Sequence, residues 1–278
     1  MGLLFIQMAL FAQQAIPYKI YTAQGKAVTF KKMAKAAAKS DIILFGEYHN
    51  NAIAHWMQYE LTNFLMEAEK PMVLGAEMFE ADNQKELTAY VTGEIDAKVF
   101  AEQARLWNNF KTDYQPLADL AKAAKRPFIA TNIPRKYASQ VFREGLESLE
   151  ALSEEEKAWI APLPIAYDAN LPGYQAMLEM GGGHGGDNLP KAQAIKDATM
   201  AYFILENFEP GQRFIHYNGA YHSDNYEGIL WYLKRRSPEL AYLTMSTVSQ
   251  EDVSKLSAEN KWKADFIICV DSNMTNTY

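Results

Sequence analysis

Short, continuously apolar runs alternate with longer amphipathic stretches along most of the chain. The run at 42–44 is typical of a strand that is buried on both faces. Two short extended segments on either side of Gln24-Gly25 predict a hairpin before it. The run at 42–44 belongs to a strand predicted at 41–45. The pattern also predicts strands at 72–76, 128–131, 213–217, 241–248 and 266–270. It predicts helices at 30–39, 52–69, 82–91, 97–108, 116–125, 135–149, 154–160, 191–207 and 226–236.

This alternation predicts an α/β fold with a mostly parallel sheet flanked by helices. The residues from about 136 to 190 contain no predicted strand, so we expect a smaller all-helical subdomain inserted there. The part at 162–190 is irregular, with four prolines and a cluster of glycines. We therefore predict a single domain over 13–278 that carries this insertion.

The first twelve residues are predominantly apolar and are followed by Gln13-Gln14. Such a run is too short to span a bilayer as a helix, but it suits a secretory signal peptide at 1–12 with cleavage after Ala12. The alternative is an N-terminal helix that docks on the body of the protein. No cysteine stands at the predicted cleavage point, so the sequence offers no lipid-anchor residue there.

Composition narrows the range of functions. With 27 Lys and Arg against 34 Asp and Glu, the net charge is −7, which disfavours binding to nucleic acid or to an anionic membrane. The single cysteine, Cys269, excludes an internal disulfide, a thiolate zinc cage or an iron–sulfur site, and its apolar strand suits an inert core thiol. Sixteen tyrosines outnumber fourteen phenylalanines.

Polar residues follow four of the predicted strands, where the carboxyl ends of a parallel sheet bind ligands. Glu47 and His49 lie two residues apart and can point the same way in extended chain. With Glu77 and His222 they form a set suited to a divalent cation or to acid–base catalysis on water. Each of them alone is equally typical of a salt bridge or a structural hydrogen bond.

Three further residues near these strand ends leave alternatives open. His55 either extends the site or is a helix histidine bonded to the sheet. His216 lies inside an apolar strand, which favours a core position. Arg135 follows Pro134 at a helix start, where it either binds an anion or pairs with a surface acid.

The segment 165–188 is the second candidate region. It carries Tyr167, Tyr174 and His184, with Met177 and Met180, in a glycine-rich frame. These residue types can ligate iron or cover a flat aromatic ligand; the alternative is a solvent loop. The glycines match no dinucleotide or phosphate-loop pattern, and the chain has no Gly-x-Ser-x-Gly nucleophile elbow.

Together these motifs give the chain a resemblance to a known family. Over about 42–233 the sequence resembles the ChaN family of iron-regulated, haem-binding bacterial proteins, within the Tiki and erythromycin-esterase-like superfamily. The family pattern usually ends in Gly-Asn-Gly-His, from which Ala220-Tyr221 departs. The motifs are Gly46-Glu47-Tyr48-His49, His55, Glu77-Met78-Phe79, Asn132-Ile133-Pro134-Arg135, Ala192-Gln193, Lys196 to Ala201 and Asn218-Gly219-Ala220-Tyr221-His222.

The resemblance implies an exported protein of the periplasm or outer membrane that binds haem in iron uptake or storage. It also implies a homodimer that holds haem between chains through tyrosine ligands, with an outer-membrane haem receptor as a candidate partner. By position, Tyr174 and then Tyr167 are the expected iron ligands, with His184 and Arg135 as further haem contacts. In related branches the Glu and His residues carry hydrolysis, with or without a metal. The alternative is therefore a hydrolase that uses Glu47, His49, Glu77 and His222.

Overall fold

One eight-stranded sheet forms the centre of the protein. The computed structural model describes residues 16–68, 70–180 and 186–278, so the predicted signal peptide and His184 lie outside the described residues. The strand order across the sheet is β2-β1-β8-β7-β3-β6-β4-β5. The strands are β1 (Tyr18–Thr22), β2 (Ala27–Val28), β3 (Ile42–Glu47), β4 (Met72–Glu80), β5 (Phe128–Asn132), β6 (Arg213–Gly219), β7 (Tyr242–Gln250) and β8 (Phe266–Asp271).

The sheet is mostly parallel, as the sequence predicts. Strand β3 lies between β6 and β7 and is parallel to both, and β4 is parallel to β6 and β5. The N-terminal hairpin of β1 and β2 adds the antiparallel edge, since β1 pairs antiparallel with β8. The carboxyl ends of β3, β4 and β6 consequently meet at one edge of the sheet.

Helices cover both faces of the sheet. None of the described helices combines the length and apolar character needed to cross a membrane. The helices are α1 (Phe30–Ala37), α2 (Ala52–Met66), α3 (Gln84–Thr92), α4 (Ala97–Gln103), α5 (Gln115–Ala124), α6 (Arg135–Glu144), α7 (Glu154–Lys157), α8 (Pro172–Met180), α9 (Asn188–Glu206) and α10 (Ile229–Arg236).

Two differences from the predicted elements have clear local causes. The helix expected at 135–149 ends at Glu144, because Gly145 adopts a positive φ of 87° and a 3₁₀ turn over Leu146–Ala151 follows. The stretch that reads as irregular contains α8, which begins at Pro172. Proline is well tolerated in the first turn of a helix, so Pro172-Gly173 starts a helix where the pattern suggests a loop.

The core has two main apolar clusters, one on each face of the sheet. Residues alternate between the faces, so Ile43 and Phe45 pack in one cluster while Ile42 and Leu44 pack in the other. His216 is fully buried in the sheet and contacts Thr131 and Asn218 through its two ring nitrogens. Its predicted core position is confirmed.

Candidate functional site

The four strand-end residues predicted from the sequence come together at the carboxyl edge of the sheet. Glu47 ends β3 and is paired in register with Gly219, the last residue of β6. The Gly219 N–H donates a hydrogen bond to Oε2 of Glu77 at 2.7 Å. A Cβ atom at Gly219 would lie only 2.7 Å from Nε2 of His49, so glycine is what lets this ring lie against the end of β6.

Glu47 is the buried anchor of the first pair. Its Oε1 atom lies 2.9 Å from Nδ1 of His49 and accepts a hydrogen bond from the Tyr114 hydroxyl at 2.7 Å. The side-chain amide of Gln58 donates to its other oxygen. Three partners thus fix a carboxylate that is 1% exposed, and Glu47 in turn orients the His49 ring.

A second group of polar residues lies behind this pair. His55 is buried, with Nε2 3.1 Å from the His49 carbonyl oxygen and 3.4 Å from Oδ2 of Asp113. Asn109 donates its amide to the same carbonyl at 2.9 Å and to Asp113 at 2.7 Å. His55 therefore supports the backbone of His49 from within the protein.

His222 forms the second pair and is held between two carboxylates. Its Nε2 atom lies 3.2 Å from Oε1 of Glu77, and its Nδ1 atom lies 2.5 Å from Oδ1 of Asp197 in α9. Gln193, one turn earlier in α9, also contacts Nδ1, at 2.9 Å. His222, Glu77 and Asp197 are all buried, so the charges interact in a poorly solvated setting.

These contacts shift the protonation of the site residues. Burial lowers the pKa of His222, but the charges of Glu77 and Asp197 outweigh it and raise the pKa to about 10. Burial raises the pKa of Glu77, but the charge and hydrogen bond of His222 outweigh it, so the net pKa is lowered. For His49 burial again lowers the pKa, while the hydrogen bond to Glu47 and the charge of Glu77 give a net rise.

Asp197 stands in the motif from Lys196 to Ala201, but sequence reasoning assigned it no role in the site. Burial raises its pKa, although the charge of His222 opposes that rise. The available signal was a lone carboxylate among Ala194, Ile195, Ala198 and Met200 in a helix, a position that the apolar pattern places in the core. An acid at such a position needs a buried cation as its partner.

The ring nitrogens of His222 and the carboxylates around it are already paired with one another. Within the described ranges, no group of three or more His, Cys, Asp or Glu residues is placed to hold a metal ion. Both ring nitrogens of His222 face carboxylate oxygens, an arrangement that favours the protonated ring.

A cleft of about 780 Å³ opens next to these pairs. His49 reaches it with a side chain that is 35% exposed, and its ring packs edge to face against Trp107 at a centroid distance of 4.8 Å. Arg135, at the start of α6, lies on the same cleft and is exposed. The cleft is lined by His49, Glu77, Glu80, Trp107, Asn132, Ile133, Arg135, Ala138, Ser139, Phe142, Arg143, Leu189, Ala192, Lys196 and His222.

One of the two candidate haem tyrosines, Tyr174, lines a different cavity, of about 310 Å³. Tyr174 lines this cavity and stacks on Tyr167 with a centroid distance of 5.6 Å and an interplanar angle of 24°. Tyr174 is 4% exposed, and burial followed by the charge of Asp197 raises its pKa. Tyr167 is half-buried, and burial raises its pKa as well.

The structure thus divides the sequence-predicted residues between two neighbouring cavities. Glu77 and His222 line the large cleft, whereas Asp197 lines the smaller cavity, so the His222–Asp197 contact joins the two. Arg135 lies on the large cleft and does not line the tyrosine cavity. The structure thus brings Tyr167 and Tyr174 together and places Arg135 apart from Tyr174, while His184 lies outside the described residues.

Comparisons with solved structures show the same fold. The Campylobacter jejuni ChaN, whose structure is described as cofacial heme binding, has a TM-score of 0.68 at 16% identity, covering 91% of this chain and 96% of that one. A Bacillus cereus protein has a TM-score of 0.55 at 13% identity, with coverages of 92% and 95%. An erythromycin esterase has a TM-score of 0.54 at 10% identity, with coverages of 95% and 99%. At these identities the likeness concerns the fold.

No curated protein sequence matches the chain. The sequence profile described as "Haem-binding uptake, Tiki superfamily, ChaN" matches residues 33–233 of the 278-residue chain. This span contains the Glu47–His49 and Glu77–His222 pairs and both candidate tyrosines. Because the match covers most of the chain, the protein belongs to the ChaN family of the Tiki superfamily.

Proposed function

We propose that this chain is an exported haem-binding protein of iron uptake or storage, with Tyr167 as the ligand of the haem iron. The observation that carries the proposal is the stacked Tyr167–Tyr174 pair beside a cavity, in a chain that belongs to a haem-binding family. Ferric iron in haem is readily ligated by a tyrosine phenolate. When bound, such a haem is suited to storage and delivery.

Exposure favours Tyr167 over Tyr174 as the ligand. The Tyr174 hydroxyl is buried, so a haem reaches it only if α8 moves. Tyr167 presents a half-buried ring to solvent and is supported from behind by Tyr174. Burial raises the pKa of Tyr167, so iron binding has to displace a phenolic proton, and we expect haem affinity to rise with pH.

Equilibrium titration with ferric hemin tests the proposal. Tyr167→Phe should weaken binding at least tenfold, whereas Tyr174→Phe should have a smaller effect because it only weakens the support of the Tyr167 ring. Tyr59→Phe is the matched control, because Tyr59 is a partly exposed tyrosine of α2 that takes no part in the Tyr167–Tyr174 stack. Equal hemin binding by Tyr167→Phe and the control would contradict the assignment.

Export, dimerisation and receptor contact complete the proposal. Expression of the full chain, followed by cell fractionation and N-terminal sequencing, should give an envelope protein that begins at Gln13. Hemin addition should double the molar mass measured by light scattering if haem is held between chains. A mature protein that retains Met1 in the cytoplasm would contradict export.

A hydrolase is the second candidate function, favoured by the two carboxylate–histidine pairs at the large cleft. The hydrogen bond to Glu47 raises the pKa of His49 and so favours the protonated form of this partly exposed ring, which suits a general acid. Glu77 is held ionised by His222 and can accept a proton from water, although its lowered pKa makes it a weak base. Together the pairs can protonate a leaving group and activate water without a metal.

Ester, lactone and peptide substrates test this second function. Glu47→Gln and His222→Ala should each abolish turnover, whereas Glu102→Gln, at an exposed residue of α4, should leave it unchanged. Turnover that survives both site substitutions would exclude these residues as the catalytic machinery.

A further inference from the structure

Three basic side chains line the large cleft. Arg135 and Arg143 lie on α6, and Lys196 lies on α9 across from it. The chain as a whole has a net charge of −7, so a cleft with three basic side chains differs in charge from the protein as a whole. If these side chains are paired with carboxylates, their role is structural; if they are not, they are available to bind a ligand.

The carboxylates of the cleft already have partners of their own. Glu77 is held by His222 and by the Gly219 N–H. Glu80 lies 2.9 Å from Nη2 of Arg105, a residue that does not line the cleft. Neither acid is therefore left to neutralise Arg135, Arg143 or Lys196.

The three cations, in contrast, are weakly compensated. Arg143 lies 3.9 Å from Glu144, and both side chains are more than half exposed, so this ion pair contributes little. Arg135 and Lys196 make no ion pair within 4.0 Å among the residues that the structure describes. Lys196 acts on the buried Asp197 only through its charge. The cleft is thus left with excess positive charge.

Apolar side chains line the same cleft as these cations. Phe142 is 41% exposed although it is a large aromatic residue, and it lines the cleft together with Leu189 and Trp107. Exposed apolar surface framed by cations is suited to a ligand that is itself apolar with an anionic group. A small inorganic anion would leave this apolar surface in contact with water.

We propose that the large cleft binds an organic anion, with Arg135 and Lys196 holding its carboxylate or sulfonate group, Arg143 adding positive charge further along α6 and Phe142 covering its apolar body. Arg135 stands at the first position of α6, so the free N–H groups of that helix end add to its charge. Arginine can hold a carboxylate through two parallel hydrogen bonds. The inference goes beyond haem binding and does not depend on it, because the candidate haem tyrosines do not line this cleft.

Fluorescence titration of the intact chain with 8-anilinonaphthalene-1-sulfonate tests the site. N-phenyl-1-naphthylamine, which has the same rings without the sulfonate, is the neutral control probe. The sulfonate should bind saturably with one site per chain, more weakly at high salt, and laurate should displace it while inorganic phosphate should not. Removing one charge-assisted hydrogen bond to the sulfonate should weaken binding about tenfold or more.

Arg135→Gln and Lys196→Gln should therefore each weaken binding of the sulfonate probe at least tenfold. Neither should change the affinity for the neutral probe. Arg236→Gln is the charge-matched control, because this exposed arginine of α10 lies outside the cleft. Equal weakening by Arg236→Gln, or no weakening by either cleft substitution, would overturn the proposal. The measurement requires no haem and no turnover, so failure of either proposed function leaves its result interpretable.

Discussion

Nε2 of His222 lies 3.2 Å from Oε1 of Glu77, and this contact joins strand β4 to the turn that follows β6 through opposite charges. Asp197 holds the other nitrogen of the same ring at 2.5 Å. The protonated ring is therefore part of the native structure of the site. Its deprotonation should be visible in the stability of the whole protein.

Stability should fall as pH rises from 6.5 to about 10. The pKa of His222 is raised from 6.5 to about 10 in the folded state, so the contribution is fully present below 6.5 and is lost as pH approaches 10. The free energy of unfolding should decrease by up to about 1.4 kcal/mol per pH unit in that window. Urea unfolding across the window measures it.

The variant His222→Gln provides the comparison for this pH dependence. It should reduce the slope strongly and leave the smaller part that comes from His49, whose pKa is also raised. An unchanged slope in His222→Gln would show that another group is responsible.

Gly219→Ala should displace His49 with little loss of stability. A Cβ atom there would lie 2.7 Å from Nε2 of His49, and this ring is at a partly exposed position from which it can rotate away. His49 would then lose the influence of Glu47, and its pKa should fall towards the ordinary histidine value. NMR titration of the five histidines measures that shift.

Gly75→Ala is the contrasting variant. Its Cβ atom would lie 2.6 Å from the buried Phe214 ring, so it should destabilise the core and leave the His49 titration unchanged. The prediction for Gly219 is wrong if its alanine variant keeps the wild-type titration of His49.

Glu47→Gln should lower the free energy of unfolding by about 1–3 kcal/mol, because it leaves buried donors without a charged acceptor. Tyr114 and Gln58 both donate to this carboxylate in the native state. Tyr114→Phe removes only one of those donors, so we expect a smaller loss than for Glu47→Gln. Chemical denaturation of the two variants ranks them, and the reverse order would contradict the anchoring role of Glu47.

Cys269 should not react with thiol reagents in the native protein. It is fully buried, and burial, with smaller effects of Asp252 and Asp271, raises its pKa to about 11. The thiolate that reacts with such reagents is therefore scarce at neutral pH. The rate of modification should rise sharply only in denaturant, in step with the loss of helical circular dichroism. Rapid modification without denaturant would contradict burial of this strand.

The alternation of strands and helices along the chain and the mostly parallel sheet could be predicted from the sequence, because buried parallel strands appear in it as short apolar runs. The ends of those strands could not. Glu47 and Glu77 lie within β3 and β4, although the apolar runs stop before them. Hydrogen bonds from the Gly219 N–H to Glu77 and from Tyr114 to Glu47 stabilise these carboxylates in the interior. The sequence around each glutamate does not identify these donors, because they lie far away along the chain.

The convergence of Glu47, His49, Glu77 and His222 follows from the rule that parallel strands present their carboxyl ends at one edge. Asp197 does not follow from it, because it reaches the site from a helix far along the chain. Tyr167 and Tyr174 are predicted as haem ligands only from the family resemblance and their position in the segment 165–188. The sequence pattern there does not indicate which of them is buried. The observed difference in exposure between Tyr167 and Tyr174 comes from the packing of α8, a helix that the pattern does not predict.

The absorption spectrum of ferric hemin bound to the chain from Gln13 onward tests the proposed haem function most directly. We expect a saturable complex with the high-spin spectrum of a phenolate-ligated iron in the wild-type protein. The spectrum should be lost in the double variant Tyr167→Phe/Tyr174→Phe. The same saturable spectrum in that double variant, or only weak and non-saturable binding by the wild type, would contradict the account.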